Sequence, residues 1–127
     1  MVLIVDDNQD EVVIMKRILS RIGPGVRVEA ALDGKDALSF LRSGRELPSL
    51  VLLDLKMPGL DGFEVLCAMR EDARTKDIPV VVVSSSSLER DEEASFASGA
   101  VDFVHKTLDM DKFSEDIAHL LNRWLKK

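Results

Sequence analysis

The sequence predicts an α/β fold, a doubly wound parallel sheet of five strands accompanied by five helices. Three observations lead there. Five short apolar runs rich in β-branched residues recur along the chain, segments of helical period separate them, and Gly, Pro, Asn, Asp and Ser stand at the junctions. Runs that are apolar throughout suit strands covered on both faces. Strands alternating with crossover helices imply a parallel sheet with helices on both sides, because such crossovers are right-handed almost without exception.

The elements follow in order. The first strand, residues 1–5, runs out into Asp6-Asp7. A helix then carries Val12, Met15, Leu19 and Ile22 on one face. Asn8, three places before Glu11, marks its start, and Gly23-Pro24 marks its end. The second strand covers 26–30, and the helix after it stops at Ser43-Gly44. The third strand, 50–53, ends at Asp54, and Asp61 with Glu64 opens the third helix. The fourth strand, 80–83, ends at Ser84, and Ser86 with Glu89 opens a fourth helix over roughly 88–98, stopped by Gly99. That helix has a thin apolar stripe, Leu88 and Phe96 with Ala94 and Ala97, among Glu89, Arg90, Asp91, Glu92 and Glu93. At about 25 cal/mol per Å² of apolar area, so little burial holds an element weakly and leaves it free to shift. The fifth strand, 101–104, leads to His105-Lys106, and the last helix carries Phe113, Ile117, Leu120 and Trp124. The expected strand order is flavodoxin-like, 2-1-3-4-5.

Composition removes several classes of function. At 127 residues the chain suits one compact core. A formal charge of -6 opposes binding to a phosphate backbone, so direct nucleic-acid binding is not expected. The opening apolar run is too short for a secretion signal, and no stretch approaches the roughly 20 residues needed to span a bilayer. The single cysteine, Cys67, cannot form an internal disulfide, which fits a reducing compartment. A cytoplasmic protein without membrane contact is the expectation.

In a parallel sheet all strand ends gather along one edge, where ligands bind in this architecture. Asp6, Asp7, Asp54, Ser84 and Lys106 all stand at strand ends. Close carboxylates repel unless a cation sits among them, and hard oxygen ligands select Mg2+ or Mn2+. With the ion present, one carboxylate can attack phosphorus while Lys106 and the Ser84 hydroxyl help neutralise the equatorial oxygens. The product is an aspartyl phosphate.

Each residue alone has a plainer reading. Asp6-Asp7 suits a helix N-terminus, and Asp54 suits a turn before Met57-Pro58-Gly59. Ser84 differs little from Ser85, Ser86 and Ser87 as a loop or capping residue. Lys106 alone reads as a solvated surface lysine, with His105 pointing the other way. Neither His105 nor His119 has a partner that suggests ligation. The spacing of Cys67 from Phe63 and Leu66 predicts burial without a role. Phe103 alone reads as core. The case lies in the conjunction.

The motifs Val-Asp-Asp-Asn at Asp6-Asp7, Leu-Leu-Asp-Leu-Lys-Met-Pro-Gly-Leu-Asp-Gly around Asp54, Ile-Pro-Val-Val-Val-Val-Ser ending at Ser84, and Gly-Ala-Val-Asp-Phe-Val-His-Lys ending at Lys106 occur in order. Together they resemble the receiver domains of two-component response regulators over essentially the whole chain, so residues 1–127 are expected to form one such domain. The resemblance also carries part of the strand-order expectation. It implies that Asp54 is the phosphoacceptor, that Asp7 binds the metal directly with Asp6 acting largely through water, and that the Lys56 backbone carbonyl completes the protein's metal shell. It implies that Ser84 and Lys106 hold the phosphoryl oxygens and that Phe103 changes rotamer on activation. The implied donor is a phosphohistidine on a sensor histidine kinase or phosphotransfer protein, and a downstream protein target reads the surface of helix 4, strand 5 and helix 5. Such a domain catalyses only its own phosphoryl transfer and autodephosphorylation.

The ending, with Asp-Met-Asp-Lys-Phe and Arg-Trp-Leu, resembles single-domain regulators paired with bacterial phytochrome kinases, some of which dimerise through their last helices. A homodimer is therefore a further expectation. The sequence stops after the fifth helix, so output is expected through protein association unless the chain is part of something longer. Two features concern tuning. Thr107 stands where receivers usually carry proline, and a non-proline cis bond costs about 2.5–4 kcal/mol, which puts the family's cis peptide in question. Lys56 and Ser86 occupy positions that tune phosphate lifetime in the family.

Three other functions fit parts of this pattern. A phosphatase of the haloacid-dehalogenase type needs a second aspartate two places after the nucleophile, where Lys56 stands. A flavodoxin-type flavin module needs a phosphate-binding loop where Asp6-Asp7-Asn8 would repel phosphate. A receiver-like binder that is never phosphorylated is disfavoured by the intact acidic set.

Overall fold

The apolar runs become strands because aliphatic and β-branched side chains suit a pleated surface; those at 2–5, 50–53 and 80–84 are buried on both faces, whereas those at 28–31 and 102–105 are only partly covered. In the computed structural model, which describes residues 1–127 other than 24, 44, 45, 56, 58, 60, 86–88, 108 and 125–127, strands and helices alternate without exception. The order is β1 (Val2–Val5), α1 (Gln9–Ile22), β2 (Val28–Ala31), α2 (Gly34–Arg42), β3 (Leu50–Leu53), α3 (Gly62–Glu71), β4 (Val80–Ser84), α4 (Glu89–Ala97), β5 (Asp102–His105) and α5 (Met110–Trp124). The five strands are parallel in the order β2-β1-β3-β4-β5, as expected from the sequence.

Alternation along the strands divides the core into two layers. Val2, Ile4, Leu50, Leu52, Val81 and Val83 pack towards α1 and α5. Leu3, Val5, Val51, Leu53, Val80 and Val82 pack towards α2 and α3. Register then fixes the functional edge. Val5 is level with Leu53, and Leu53 with Val82, so Asp6 and Asp54 leave the sheet side by side while β4 continues to Ser84.

The structure shifts or corrects several expectations. β2 begins at Val28 rather than 26, because the Val26 N–H is held at 3.0 Å by the Gly23 carbonyl in the turn after α1. Ser84 and His105 pair across β4 and β5, so both strands reach one residue further than expected. Cys67 is exposed, not buried: the inner face of α3 is formed by Gly62, Val65, Leu66 and Met69, and Cys67 stands about 100° round the helix from Leu66. Phe96, Ala94 and Ala97 are exposed as well, so these three residues of the expected stripe do not pack; among the described residues of α4, Ser95 is the buried one, its hydroxyl donating to the Asp91 carbonyl at 2.7 Å. Ser86, Leu88, Pro24 and Gly44, invoked as helix signals or stripe residues, lie outside the described residues. No cis peptide bond occurs among the described residues, and Lys106–Thr107 is trans.

Among the described residues no helix is long and apolar enough to cross a membrane.

Candidate functional site

The acids reach the sheet edge because the ladder carries them there. The Asp6 N–H donates to the Ala31 carbonyl at 3.1 Å and the Asp54 N–H to the Val5 carbonyl at 2.9 Å, which extends β1 and β3 by one residue into the edge. Asp6, Asp7 and Asp54 each present a carboxylate oxygen within 4.8 Å of the others. Asp6 and Asp54 are only 1% and 8% exposed, whereas Asp7 is open to solvent.

Lys106 arrives from the far side of the sheet. Its backbone N–H donates to the Ser84 carbonyl at 2.7 Å, which anchors the chain after β5 against the end of β4. Its Nζ lies 3.0 Å from Asp6 Oδ2 and 3.6 Å from Asp54 Oδ1, and 2.5 Å from Glu11 Oε2. Ser84 is buried at the end of β4, one residue beyond the row that holds Asp6 and Asp54. Phe103 is half-buried on β5, opposite Val82, against the layer that contains α2 and α3. The Lys56 carbonyl, expected as a metal ligand, lies outside the described residues.

Electrostatics matches this crowding. Burial pushes the Asp6 carboxyl above the ordinary carboxylate range, and contact with Glu11 pushes the same way, against the pull of the Asn8 N–H and Lys106. Burial alone would lower the Lys106 ammonium, but Glu11, Asp54 and Asp6 outweigh it and hold it above its usual value. A set of oxygen donors this close, partly desolvated and facing one ammonium, fits a hard divalent cation.

Three contributors carried no role at the level of sequence. Glu11 reads there as a helix-start acid, yet its side chain contacts Lys106. Gly62 sits directly behind the acidic edge, where a Cβ would stand 2.3 Å from the Asp54 carbonyl oxygen. Its N–H donates to the Leu55 carbonyl at 3.0 Å, so only glycine permits the approach that turns the chain after Asp54 into α3. Arg70 bonds the Gly99, Lys76 and Ile78 carbonyls and ties α3 to the turn between α4 and β5. Gly62 could have been flagged as the helix-opening glycine; a long-range contact such as that of Arg70 leaves no local pattern.

Fold and edge together define a receiver, a class confirmed by comparison: residues 2–118 match the response regulator receiver domain family, and the chain belongs to that family, the phosphoacceptor domains of two-component signalling. The chain is 34% identical over 128 residues to the probable methanogenesis regulatory protein FilR2 of Methanothrix harundinacea, covering 98% of this chain and 83% of FilR2. It spans only 27% of a probable cyclic di-GMP phosphodiesterase of Vibrio cholerae and 23% of the response regulator PleD of Caulobacter vibrioides. Among solved structures it resembles the phosphorylated cyanobacterial phytochrome response regulator RcpA, with a TM-score of 0.92, 28% identity, and coverage of 98% of this chain and 93% of that one. The Mn2+-bound form of response regulator Rcp1 is similar at a TM-score of 0.85 and 26% identity, over 99% of this chain and 94% of that one.

Proposed function

We propose that Asp54 accepts a phosphoryl group from a phosphohistidine on a sensor histidine kinase or phosphotransfer protein, and that the charge so acquired alters the surface formed by α4, β5 and α5 for a downstream protein target. The observation that carries this reading is the convergence of three strand-end carboxylates within 4.8 Å, with the Lys106 ammonium 3.6 Å from Asp54. An Asp54 oxygen attacks phosphorus, the P–N bond to the donor imidazole breaks, and the imidazole leaves with a proton. Lys106 and the Ser84 hydroxyl stabilise the oxygens of the transferring group. Asp6 and Asp7, with Asp54 and the Lys56 carbonyl, would hold Mg2+ or Mn2+, and the ion when bound would supply the positive charge that lets phosphate approach so many acids. The Mn2+-bound form of Rcp1 supports a divalent cation as the cofactor.

The switch begins at Ser84. Drawn towards a phosphoryl oxygen, its hydroxyl vacates space beside β5, and Phe103 turns into it, so α4 and β5 settle in a new arrangement. Water attack on the acyl phosphate resets the domain, releasing inorganic phosphate and the Asp54 carboxylate. The whole of 1–127 acts as this one domain, in the cytoplasm and without nucleic-acid or membrane contact, and a second copy pairing through the last helices is part of the reading. The phytochrome regulators among the similar structures support a light-sensing type of kinase as donor.

Incubation with magnesium and acetyl phosphate, followed by intact mass measurement, tests the assignment. One added phosphoryl group is expected on the wild type and none on Asp54→Asn. Equal labelling of both proteins refutes it.

A further inference from the structure

Two helices begin with the same local motif, and one acid is used differently in each. At α3 the box is closed: the Glu64 N–H donates to Asp61 Oδ1 at 3.0 Å, and the Glu64 carboxylate returns to the Asp61 N–H at 3.3 Å. At α1 the Glu11 N–H donates to Asn8 Oδ1 at 3.1 Å, but the Asn8 N–H is already given to Asp6 Oδ1 at 2.9 Å. With the return position taken, the Glu11 carboxylate turns towards the sheet edge and meets Lys106. Of the three acids around that ammonium, Glu11 is nearest at 2.5 Å, Asp6 follows at 3.0 Å and Asp54 is farthest at 3.6 Å.

We propose that Glu11 is a positioning residue that holds the Lys106 ammonium back from Asp54, so that the phosphoryl group must win Lys106 from Glu11. This rests on Asp54 being the phosphoacceptor. The exchange is physically easy. Lysine carries three donors on a flexible stem, so its partner can change by rotation alone. The Lys106 side chain is only 13% exposed, whereas that of Glu11 is 37% exposed, so Glu11 is the partner that can be released to water. A phosphoryl group brings more than one negative charge and three acceptor oxygens, and so outcompetes a single carboxylate at the solvent boundary. Glu11 thereby sets how readily Asp54 is phosphorylated and how long the acyl phosphate keeps its lysine.

The test uses the 127-residue chain, with Glu11→Gln and Glu11→Asp beside the wild type. In magnesium, beryllofluoride serves as the phosphoryl mimic. Glu11→Gln is expected to bind it roughly twofold to fivefold more tightly, the range that one partly exposed ion pair contributes. Glu11→Asp keeps the charge but is one methylene too short for the contact, so it should follow Glu11→Gln. A second readout needs no phosphoryl group: without added magnesium, the Lys106 ammonium nitrogen resonance should be protected in the wild type and exchange-broadened in both variants. If Glu11→Gln binds no more tightly than the wild type, or Glu11→Asp behaves as the wild type does, the contact does not govern Lys106 and the inference fails. If the wild type itself binds no beryllofluoride and takes no phosphate from acetyl phosphate, the phosphoacceptor reading has failed instead.

Discussion

The last two helices carry five charged Asp, Glu, Lys or Arg residues each, in nine residues of α4 and fifteen of α5, and the fold holds them by different means. α5 presents Phe113, Ile117, Leu120 and Leu121 to the sheet, all buried in one core layer. α4 buries Ser95, leaves Phe96 45% exposed, and ends in a turn fastened through the Gly99 carbonyl to the Arg70 guanidinium. Apolar area therefore fixes α5, while directional hydrogen bonds hold α4 at its C-terminal end. A helix held at one end by polar contacts can be moved by a small change in charge nearby. One seated by four large side chains cannot. The difference assigns the moving part of the proposed switch to α4 and its reference frame to α5.

The contrast can be sharpened by truncating each helix. Ile117→Ala is expected to cost about 2–5 kcal/mol in denaturant unfolding, because it opens a cavity in a fully buried layer. Phe96→Ala should change stability by no more than about 0.5 kcal/mol, as for other exposed positions. Comparable losses from the two substitutions would break the comparison. An intermediate effect is expected at the tie. Arg70→Met removes the donors to three carbonyls and should cost roughly 1–3 kcal/mol. More telling than the magnitude is its location: amide exchange should accelerate at residues 98–100 and in α4 while α5 keeps its protection. Uniform acceleration across both helices would show that Arg70 supports the whole domain rather than one turn.

How much of this was readable in advance depends on the kind of contact. β1, β3 and β4 were legible because parallel central strands are apolar on both faces, and such runs have little else to be. The gathering of Asp6, Asp7, Asp54 and Lys106 was legible for a topological reason: parallel strands bring their ends to one edge whatever the loops do. Phase within a helix was harder to read. Cys67 neighbours Leu66 in sequence but stands on the outer face, and Phe96 gains nothing from being aromatic because no layer of the core lies beneath it. Side chains with two local options were harder still. Glu11 and Glu64 occupy the same helix position, and only Asp6, the neighbour at the end of β1, decides that one of them closes its box and the other contacts Lys106. The Arg70 tie joins residues 29 apart through main-chain carbonyls, which no residue type announces.

The central claim is chemical and can be read at a single residue. Treatment of the magnesium and acetyl phosphate reaction with borohydride, followed by peptide mass mapping, converts an acyl phosphate of aspartate into homoserine at the modified position. Homoserine at residue 54, dependent on magnesium, is the predicted result. Its appearance at Asp6 or Asp7 instead, or its absence from a protein that has gained a phosphoryl group, would contradict the account.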